Sequence, residues 1–232
     1  MLKVTTEMNT PFDEAYFMDG VNSGKSNYVN YSWMPERTIP FANALADYFK
    51  IPKGENRPAP RIIDIGCSRG FLVHALRLIG RNIASFGYDI SEWAIQNCQP
   101  EIAGFVGTEF PVEKFDFSIS KDCCEHFQPK DLDINLSNIL DITMREALFI
   151  VPLADLELVE YYVKYLRAED NKDSTHLICW TLGQWVDRIH KLGRGQFIVS
   201  GTHHIDGLKP TSMNPLGSCG FISARRVPSV AS

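Results

Sequence analysis

The chain has 232 residues, of which 44% are apolar and 22% charged, and its formal net charge at pH 7 is −5. This length and apolar share predict one globular domain with a sizeable core, and the acidic balance weighs against a nucleic-acid partner or a membrane surface. No apolar run approaches the ~20 residues of a membrane-spanning helix, and the amino-terminal residues lack the apolar stretch of a signal peptide. The six cysteines include no Cys-x-x-Cys pair, which favours reduced thiols and a cytoplasmic location.

The first part of the chain, residues 1–38, is polar and aromatic and shows little periodicity. We interpret it either as a lid over a binding site or as an arm packed on the domain surface. Apolar residues at helical spacing then predict a helix over Pro40–Phe49, which a proline-rich linker ends. The next stretch, Arg61–Leu76, is typical of a buried strand, a tight glycine turn and a helix.

The glycine turn has the pattern D-x-G-x-x-x-G, from Asp64 to Gly70. Gly66 can adopt backbone angles that other residues avoid, and without a side chain it lets a ligand approach the main chain. The free N–H groups at the start of the following helix suit an anionic or polar ligand. The second predicted strand, Ile83–Asp89, ends in an acid that is placed to accept both hydroxyls of a ribose.

The rest of the chain alternates strands with helices, which predicts a parallel sheet covered by helices on both faces. The predicted elements are a helix from Ser91, strands over Ile102–Val106, Phe115–Ser120 and Ala147–Val151, a helix over Leu132–Met144, a helix between Leu156 and Leu166, a helix ending at Leu192, and last strands over Gln196–Thr202 and Ser218–Val227.

Residues 61–127 resemble the class I S-adenosylmethionine (SAM)-dependent methyltransferases. The resemblance rests on three motifs in the family's order: the glycine turn, the ribose acid Asp89, and the strand Phe115–Ser120 followed by Glu125-His126-Phe127, which is similar to the family's E-H pair. It implies a Rossmann-like α/β fold, with a mostly parallel seven-stranded sheet, helices on both faces and an antiparallel last strand. It also implies SAM as the cofactor.

The resemblance also implies which residues contact the cofactor. Thr108 stands where relatives usually place an acid for the adenine amino group, so Glu109 is the nearest candidate. Trp93 is expected either to border the adenine or to pack in the core. The predicted cofactor-binding residues are Asp64, Gly66, Cys67, Ser68, Gly70, Asp89, Ile90, Trp93, Glu109 and Ser120.

We therefore predict one methyltransferase domain in four parts. They are the arm or lid (1–38), a cofactor-binding core (40–152), a substrate-side insertion (153–183), and a carboxyl-terminal helix and hairpin (184–232). In the insertion, the segment Asp173–His176 followed by Trp185 resembles part of the small-molecule and sugar methyltransferases that carry the E-H motif. The expected activity is methyl transfer to an oxygen, or a nitrogen, of a small molecule or glycan.

A hydroxyl acceptor benefits from a general base, and histidine suits this role because its ordinary pKa is near neutrality. Among the six histidines, His126 and His176 are the predicted catalytic residues. His203 and His204 follow a predicted strand and are alternative pocket residues. The remaining two, His74 and His190, lie within predicted helices and are expected to pack or to face solvent.

Two other functions stay open from the sequence. The set Asp122, Glu125, His126 and His176 resembles the metal site of small-RNA 2′-O-methyltransferases, although the primary prediction includes no metal. A SAM-binding protein that serves another enzyme without catalysis is the other alternative. The expected partner is a small-molecule or glycan substrate, and the acceptor's identity and the oligomeric state are left open.

Overall fold

A seven-stranded sheet forms the centre of the computed structural model, which describes residues 10–54, 58–153, 175–208 and 219–228. The strands are β1 (Arg61–Ile65), β2 (Ala84–Tyr88), β3 (Val106–Gly107), β4 (Phe115–Lys121), β5 (Thr143–Pro152), β6 (Phe197–Thr202) and β7 (Cys219–Arg226). Their order across the sheet is β3-β2-β1-β4-β5-β7-β6.

Strands β1 to β5 are parallel, whereas β7 pairs antiparallel with both β5 and β6. Because β7 is reversed between them, β6 runs parallel to β5. The carboxyl ends of β1, β2, β4, β5 and β6 therefore meet at one edge of the sheet, where ligands bind in open α/β folds. This topology confirms the predicted fold class, including the antiparallel last strand and its hairpin.

Helices cover both faces of the sheet. They are α1 (Glu14–Met18), α2 (Gly20–Ser23), α3 (Pro35–Tyr48), α4 (Phe71–Leu78), α5 (Glu92–Gln96), α6 (Leu132–Ile142) and α7 (Leu182–Leu192), with 3-10 turns at Pro100–Ile102 and Cys124–His126. Among the described residues, no helix combines the length and the apolar character that a membrane span requires.

The alternation of side chains along β1 separates two cores. Ile62 packs with α3 and α4, as part of a cluster that includes Leu45 and Leu76. Its neighbour Ile63 points to the other face and packs with α6 and α7, where Trp185 is fully buried. The strand is thus apolar on both faces, which explains why the sequence shows it as a continuous apolar run.

Two predicted elements differ from the structure. The third strand was expected over Ile102–Val106, but Ile102 lies in a 3-10 turn and only Val106–Gly107 pairs with β2. Pro100 has a fixed φ and no N–H group, so it begins that helical turn more readily than a strand. The first long helix, α3, begins at Pro35 rather than at Pro40, because a proline at the first helical position removes no intrahelical hydrogen bond. Pro40 lies inside the helix, where it has no N–H group for the usual bond to the preceding turn.

Some boundaries also move. Strand β5 starts at Thr143, so the helix before it ends at Ile142 rather than Met144. Of the predicted insertion, residues 154–174 lie outside the described residues, and so does the helix predicted between Leu156 and Leu166. All six cysteines are free thiols.

Candidate functional site

The glycine turn after β1 lets neighbouring side chains lie very close to the main chain. Gly66 has φ +80°, and a Cβ at this position would lie 2.4 Å from the Sγ of Cys123. Gly70 has φ +71°, and a Cβ there would lie 2.3 Å from a methyl carbon of Ile102. Backbone conformation therefore favours glycine at both positions, and at Gly66 the Cβ of Cys123 at 2.6 Å adds a steric requirement. Helix α4 begins directly after Gly70 and directs its first N–H groups towards the carboxyl edge of the sheet.

Asp89 connects this turn to the start of α5. Its Oδ2 accepts a hydrogen bond from the backbone N–H of Ser68 (2.7 Å), and its Oδ1 accepts one from the N–H of Ser91 (2.8 Å). The side chain is only 9% exposed, and burial raises the pKa of Asp89 while the two N–H donors oppose that rise. Each carboxylate oxygen keeps a second lone pair, so Asp89 can still accept from a hydroxyl group.

Asp64 is the next-to-last residue of β1 and the first residue of the glycine motif, and it is 6% exposed. Burial, opposed by the charge of Lys121 and assisted by that of Asp89, raises the pKa of Asp64 to about 7. Lys121 itself contacts Asp122, with 2.5 Å between Nζ and Oδ2. Asp64 and Asp89 thus form a buried acidic pair beside the glycine turn, with one cation nearby.

The amino-terminal arm lies across this edge of the sheet. The carbonyl oxygen of Phe12 accepts a hydrogen bond from the Ser91 hydroxyl (2.6 Å). Phe17 stacks on Trp93, with ring centroids 5.4 Å apart and an interplanar angle of 14°. One face of Trp93 is therefore covered by the arm, and its predicted contact with an adenine stays a prediction.

Tyr31 continues the arm over the glycine turn. Its ring lies 5.1 Å from that of Phe71, and its carbonyl oxygen accepts from the guanidinium of Arg69 (2.8 Å). Burial raises the pKa of Tyr31 to about 12. The described part of the arm is thus packed over the predicted cofactor crevice, and its opening as a lid stays a prediction.

A carboxylate and two imidazoles come together next to this crevice. Glu125, His126 and His176 each offer a potential ligand atom, and these atoms lie within 4.8 Å of one another. Among the described residues, no other group of three or more His, Cys, Asp or Glu side chains is as close. Glu125 is 1% exposed, and the ring centroids of His126 and His176 are 4.7 Å apart.

Main-chain hydrogen bonds bring the two parts of this cluster together. The carbonyl oxygen of Glu125 accepts from the N–H groups of Leu177 (2.8 Å) and Ile178 (2.9 Å). These bonds attach the residues around His176 to the 3-10 turn that follows β4. Since they use only the backbone, side-chain substitutions in the cluster leave them in place.

The orientation of His126 is set by Thr175. Nδ1 of His126 lies 3.0 Å from the Thr175 carbonyl oxygen and 2.8 Å from the Thr175 hydroxyl. A proton on Nδ1 would satisfy the carbonyl oxygen, which can only accept, and in that tautomer the lone pair of the neutral ring lies on Nε2. The ring also contacts the arm, with its centroid 5.5 Å from that of Phe12.

The other predicted cofactor residues lie around the turn, with differing exposure. Cys67 and Ser120 are buried, and the Ser120 hydroxyl is 3.2 Å from the Sγ of Cys124. Burial raises the pKa of the Cys67 thiol. Ile90 is half-buried after β2, whereas Glu109 is exposed beyond the short β3.

The remaining histidines lie outside the cluster. Nε2 of His204 is 2.7 Å from an oxygen of Asp206 on the surface, and its neighbour His203 is also exposed. His74 packs edge-on against Trp33, and His190 is exposed on α7. The structure therefore brings together the two histidines predicted as catalytic.

Sequence reasoning missed three contributors to the site: Phe12, Thr175 and Cys123. Thr175 precedes a predicted catalytic histidine, but nothing local in the sequence shows that its carbonyl faces His126. No local pattern in the sequence indicates that Cys123 packs against Gly66. Phe12 lies in a segment without periodicity and carries no signal that could have identified it.

Comparison with known proteins shows the fold. No protein-family model and no curated protein matches the chain. A chain from the complex between the Haloferax volcanii Trm112 methyltransferase activator and a methyltransferase is similar, with a TM-score of 0.60, 18% identity, and coverage of 96% of this chain and 100% of that one. Magnesium protoporphyrin IX methyltransferase from Synechocystis, solved with bound SAH, has a TM-score of 0.59 and 12% identity over 92% of this chain and 97% of its own.

A SAM-dependent methyltransferase from Archaeoglobus fulgidus is also similar, with a TM-score of 0.53 and 20% identity over 80% of this chain and 92% of its own. At these identities the similarity concerns the fold. The chain thus has the Rossmann-like fold of the class I SAM-dependent methyltransferases.

Proposed function

We propose that the protein is a SAM-dependent methyltransferase that transfers a methyl group to an oxygen, or a nitrogen, of a small molecule or glycan. One observation carries the proposal: the Glu125–His126–His176 cluster is adjacent to the glycine turn. Cys123, which lies against Gly66, directly precedes the 3-10 turn that holds Glu125 and His126. Proton-accepting groups therefore stand at the edge where this fold binds its cofactor.

The residues of the crevice fit a nucleoside-containing cofactor. Gly66 keeps the turn after β1 tight, because the side chain of Cys123 occupies the space that a Cβ would need. Asp89 is held by two backbone donors and retains lone pairs for ribose hydroxyls. When bound, SAM would supply an activated methyl group on a sulfonium, and the protein would supply position and polarity.

His126 and His176 are suited to activate the acceptor. In the tautomer with its proton on Nδ1, facing the Thr175 carbonyl, the neutral His126 ring has its lone pair on Nε2. A hydroxyl within hydrogen-bond reach of that atom could transfer its proton to it, and the Glu125 carboxylate nearby would stabilise the resulting imidazolium. General-base help of this kind typically contributes about 10²–10⁴-fold to the rate.

The same cluster also favours the metal-dependent alternative, but it contains only part of the four-residue ligand set that was predicted. Three of its four residues meet, whereas the Asp122 carboxylate is engaged by Lys121 at 2.5 Å. The RNA substrate implied by that alternative gains no support from a chain with a net charge of −5.

A protein partner is a further candidate feature. The Haloferax volcanii structure contains a methyltransferase activator together with a methyltransferase. This similarity supports a second candidate function, in which the protein binds SAM and acts together with another protein. It differs from the first in a measurable way, because it binds SAM and methylates no acceptor by itself.

The first test is calorimetric titration of the full chain with SAM and S-adenosylhomocysteine. We expect binding by the wild type and a loss of at least tenfold in affinity for Asp89→Ala, because both the ribose acceptor and the N–H anchor of the turn are removed. Asp187→Ala, an exposed acid on α7, is the matched control and should bind normally. If the folded wild type binds neither ligand, the proposal is wrong; binding with no transfer to a broad acceptor panel would favour the second function.

A further inference from the structure

We infer that an open cavity at the edge of the sheet opposite the cofactor crevice is a binding site for a phosphorylated small molecule of about nucleotide size. The cavity has a volume of about 760 Å³, and it is lined by the start of β5, the end of β7 and the residues at the end of α3. Small-molecule sites typically have volumes of about 300–1,000 Å³. The cavity is therefore large enough for such a ligand.

The direction of the strands separates this cavity from the cofactor crevice. Its sheet residues lie at the start of β5, just before β6 and at the end of the antiparallel β7, so they share the edge opposite the carboxyl ends of the parallel strands. Strand β5 has 10 residues, so at about 3.3 Å per residue the two edges are about 30 Å apart. A ligand in this cavity is thus too far away to take part in methyl transfer.

The lining of the cavity is strongly basic. Four cations and one carboxylate line it, namely Lys50, Arg145, Arg225, Arg226 and Glu146. The net charge of these side chains is +3, whereas that of the whole chain is −5. A cleft lined by charges of one sign concentrates ions of the opposite sign. The cavity therefore favours an anion that carries two or more charges.

The carboxylate of Glu146 is already satisfied by the protein. It is 7% exposed, and its Oε1 accepts hydrogen bonds from the hydroxyl groups of Tyr48 (2.7 Å) and Ser223 (2.7 Å). Its Oε2 accepts from Nε of Arg225 at 3.3 Å. Glu146 therefore offsets the charge of Arg225 and leaves the charge of the other three cations in place.

Those three cations have only neutral neighbours within the part of the chain that the structure describes. Arg226 donates to three neutral oxygens at 2.7 to 3.1 Å, and the guanidinium of Arg145 lies 4.8 Å from the ring centroid of Phe117. Among the described residues, no carboxylate forms an ion pair with Lys50, Arg145 or Arg226. Like charges gathered without a counter-charge repel one another, and a bound anion relieves that repulsion.

Lys50 and Arg145 are the cations that we expect to contact the ligand. They line this cavity and also a smaller one of about 190 Å³, so their side chains lie between the two. The carboxylate of the smaller cavity, Asp116, accepts from the backbone N–H of Arg61 at 2.9 Å. Lys50 follows the end of α3 with φ +54°, a conformation that favours glycine, so a lysine is unusual there.

A phosphate group attached to an organic group suits this lining. An arginine guanidinium binds phosphate through two parallel hydrogen bonds, and a lysine ammonium binds it as a point charge. The apolar side chains of Met144 and Val227, which are 45% and 41% exposed, also line the cavity and offer contacts to the organic group. The combination favours an organic phosphate over inorganic phosphate, and the limited volume favours a small molecule over a polymer.

The test is calorimetric titration of the full chain with pyrophosphate, guanosine diphosphate (GDP) and guanosine, in the absence of Mg²⁺. We expect pyrophosphate to bind, GDP to bind about tenfold more tightly because its nucleoside adds apolar contacts, and guanosine to bind about 100-fold more weakly than GDP because it lacks the phosphates.

Arg145→Gln and Lys50→Gln should each weaken GDP binding by about tenfold, because each removes a charged hydrogen-bond donor. Arg145→Lys keeps the charge and should lose less affinity than Arg145→Gln. The matched control is Arg37→Gln, which removes the same charge from an exposed position in the first turn of α3 and should bind GDP normally. Arg145 and Lys50 are exposed, so we expect these variants to fold, which circular dichroism checks.

The inference is wrong if the folded wild type binds neither pyrophosphate nor GDP, or if Arg145→Gln and Lys50→Gln bind GDP as tightly as Arg37→Gln does. Displacement of GDP by S-adenosylhomocysteine would also overturn it, because GDP would then occupy the cofactor crevice. Tighter binding of a short single-stranded RNA than of GDP would assign the cations to a polymer instead. GDP binding by a chain that binds no SAM would support this site and disprove the proposed function.

Discussion

Substitution of Gly66 by alanine tests the geometry on which the cofactor site depends. A Cβ at this position would lie 2.4 Å from the Sγ and 2.6 Å from the Cβ of Cys123, and the residue has φ +80°. The left-handed conformation costs a non-glycine residue about 1–2 kcal/mol, and overpacking typically adds about 1–3 kcal/mol. We therefore expect Gly66→Ala to lower the free energy of unfolding by about 2–5 kcal/mol.

A matched control separates strain from contact. Gly80 also has positive φ, at +65°, but a Cβ there would meet no atom within 4 Å. Gly80→Ala should thus lose only the strain part, about 1–2 kcal/mol. The difference between the two variants, about 1–3 kcal/mol, measures the collision with Cys123.

Urea unfolding followed by circular dichroism gives both free energies, and a double substitution completes the cycle. Adding Cys123→Gly to Gly66→Ala should recover most of the collision cost, because both offending atoms are removed. Equal destabilisation by Gly66→Ala and Gly80→Ala, or no recovery in the double variant, would refute the close packing of Cys123 against the turn. Calorimetric titration with SAM should show weaker binding for Gly66→Ala than for the wild type and for Gly80→Ala.

Two further predictions concern activity and pH. His126→Ala and His176→Ala should each lower the turnover number by about 10²–10⁴-fold while SAM affinity stays within a few-fold of the wild type; normal turnover in both would remove them from catalysis. For Asp64, the folded pKa of about 7 lies above the ordinary value of 3.8. The contribution of this group to the free energy of unfolding is therefore fully present below about pH 4 and is lost as the pH rises to 7. Over that range the loss from this group is on the order of 4 kcal/mol, and Asp64→Asn should flatten the pH dependence of the unfolding midpoint; an unchanged slope would contradict the raised pKa.

The fold could be predicted from the sequence to a large extent. The strand, glycine turn and helix from Arg61 to Leu76 depend on local periodicity and on positive φ values, and both are legible in the residue types. The antiparallel hairpin of β6 and β7 followed from the resemblance and is confirmed. The predicted range of the third strand was wrong, because the chain around Ile102 forms a 3-10 turn that begins at Pro100.

The candidate site was predictable only in its parts. His126 and His176 could be selected as chemical candidates, and the structure places them in contact. Their meeting depends on hydrogen bonds from Leu177 and Ile178 to the Glu125 carbonyl, which no spacing in the sequence indicates. The sequence likewise gives no sign that Asp122 contacts Lys121 and is not part of this cluster.

By itself, the sequence determined the elements, the glycine turn and the kinds of chemistry that the side chains can perform. Only the tertiary structure decided that residues 10–33 cover the crevice, that Thr175 orients His126, and that a carboxylate joins two imidazoles. The physical reason is range. Backbone preference and periodicity act within a few residues, whereas the site is assembled by packing and hydrogen bonds between distant segments, such as those of Phe12 and Ser91, which are 79 residues apart.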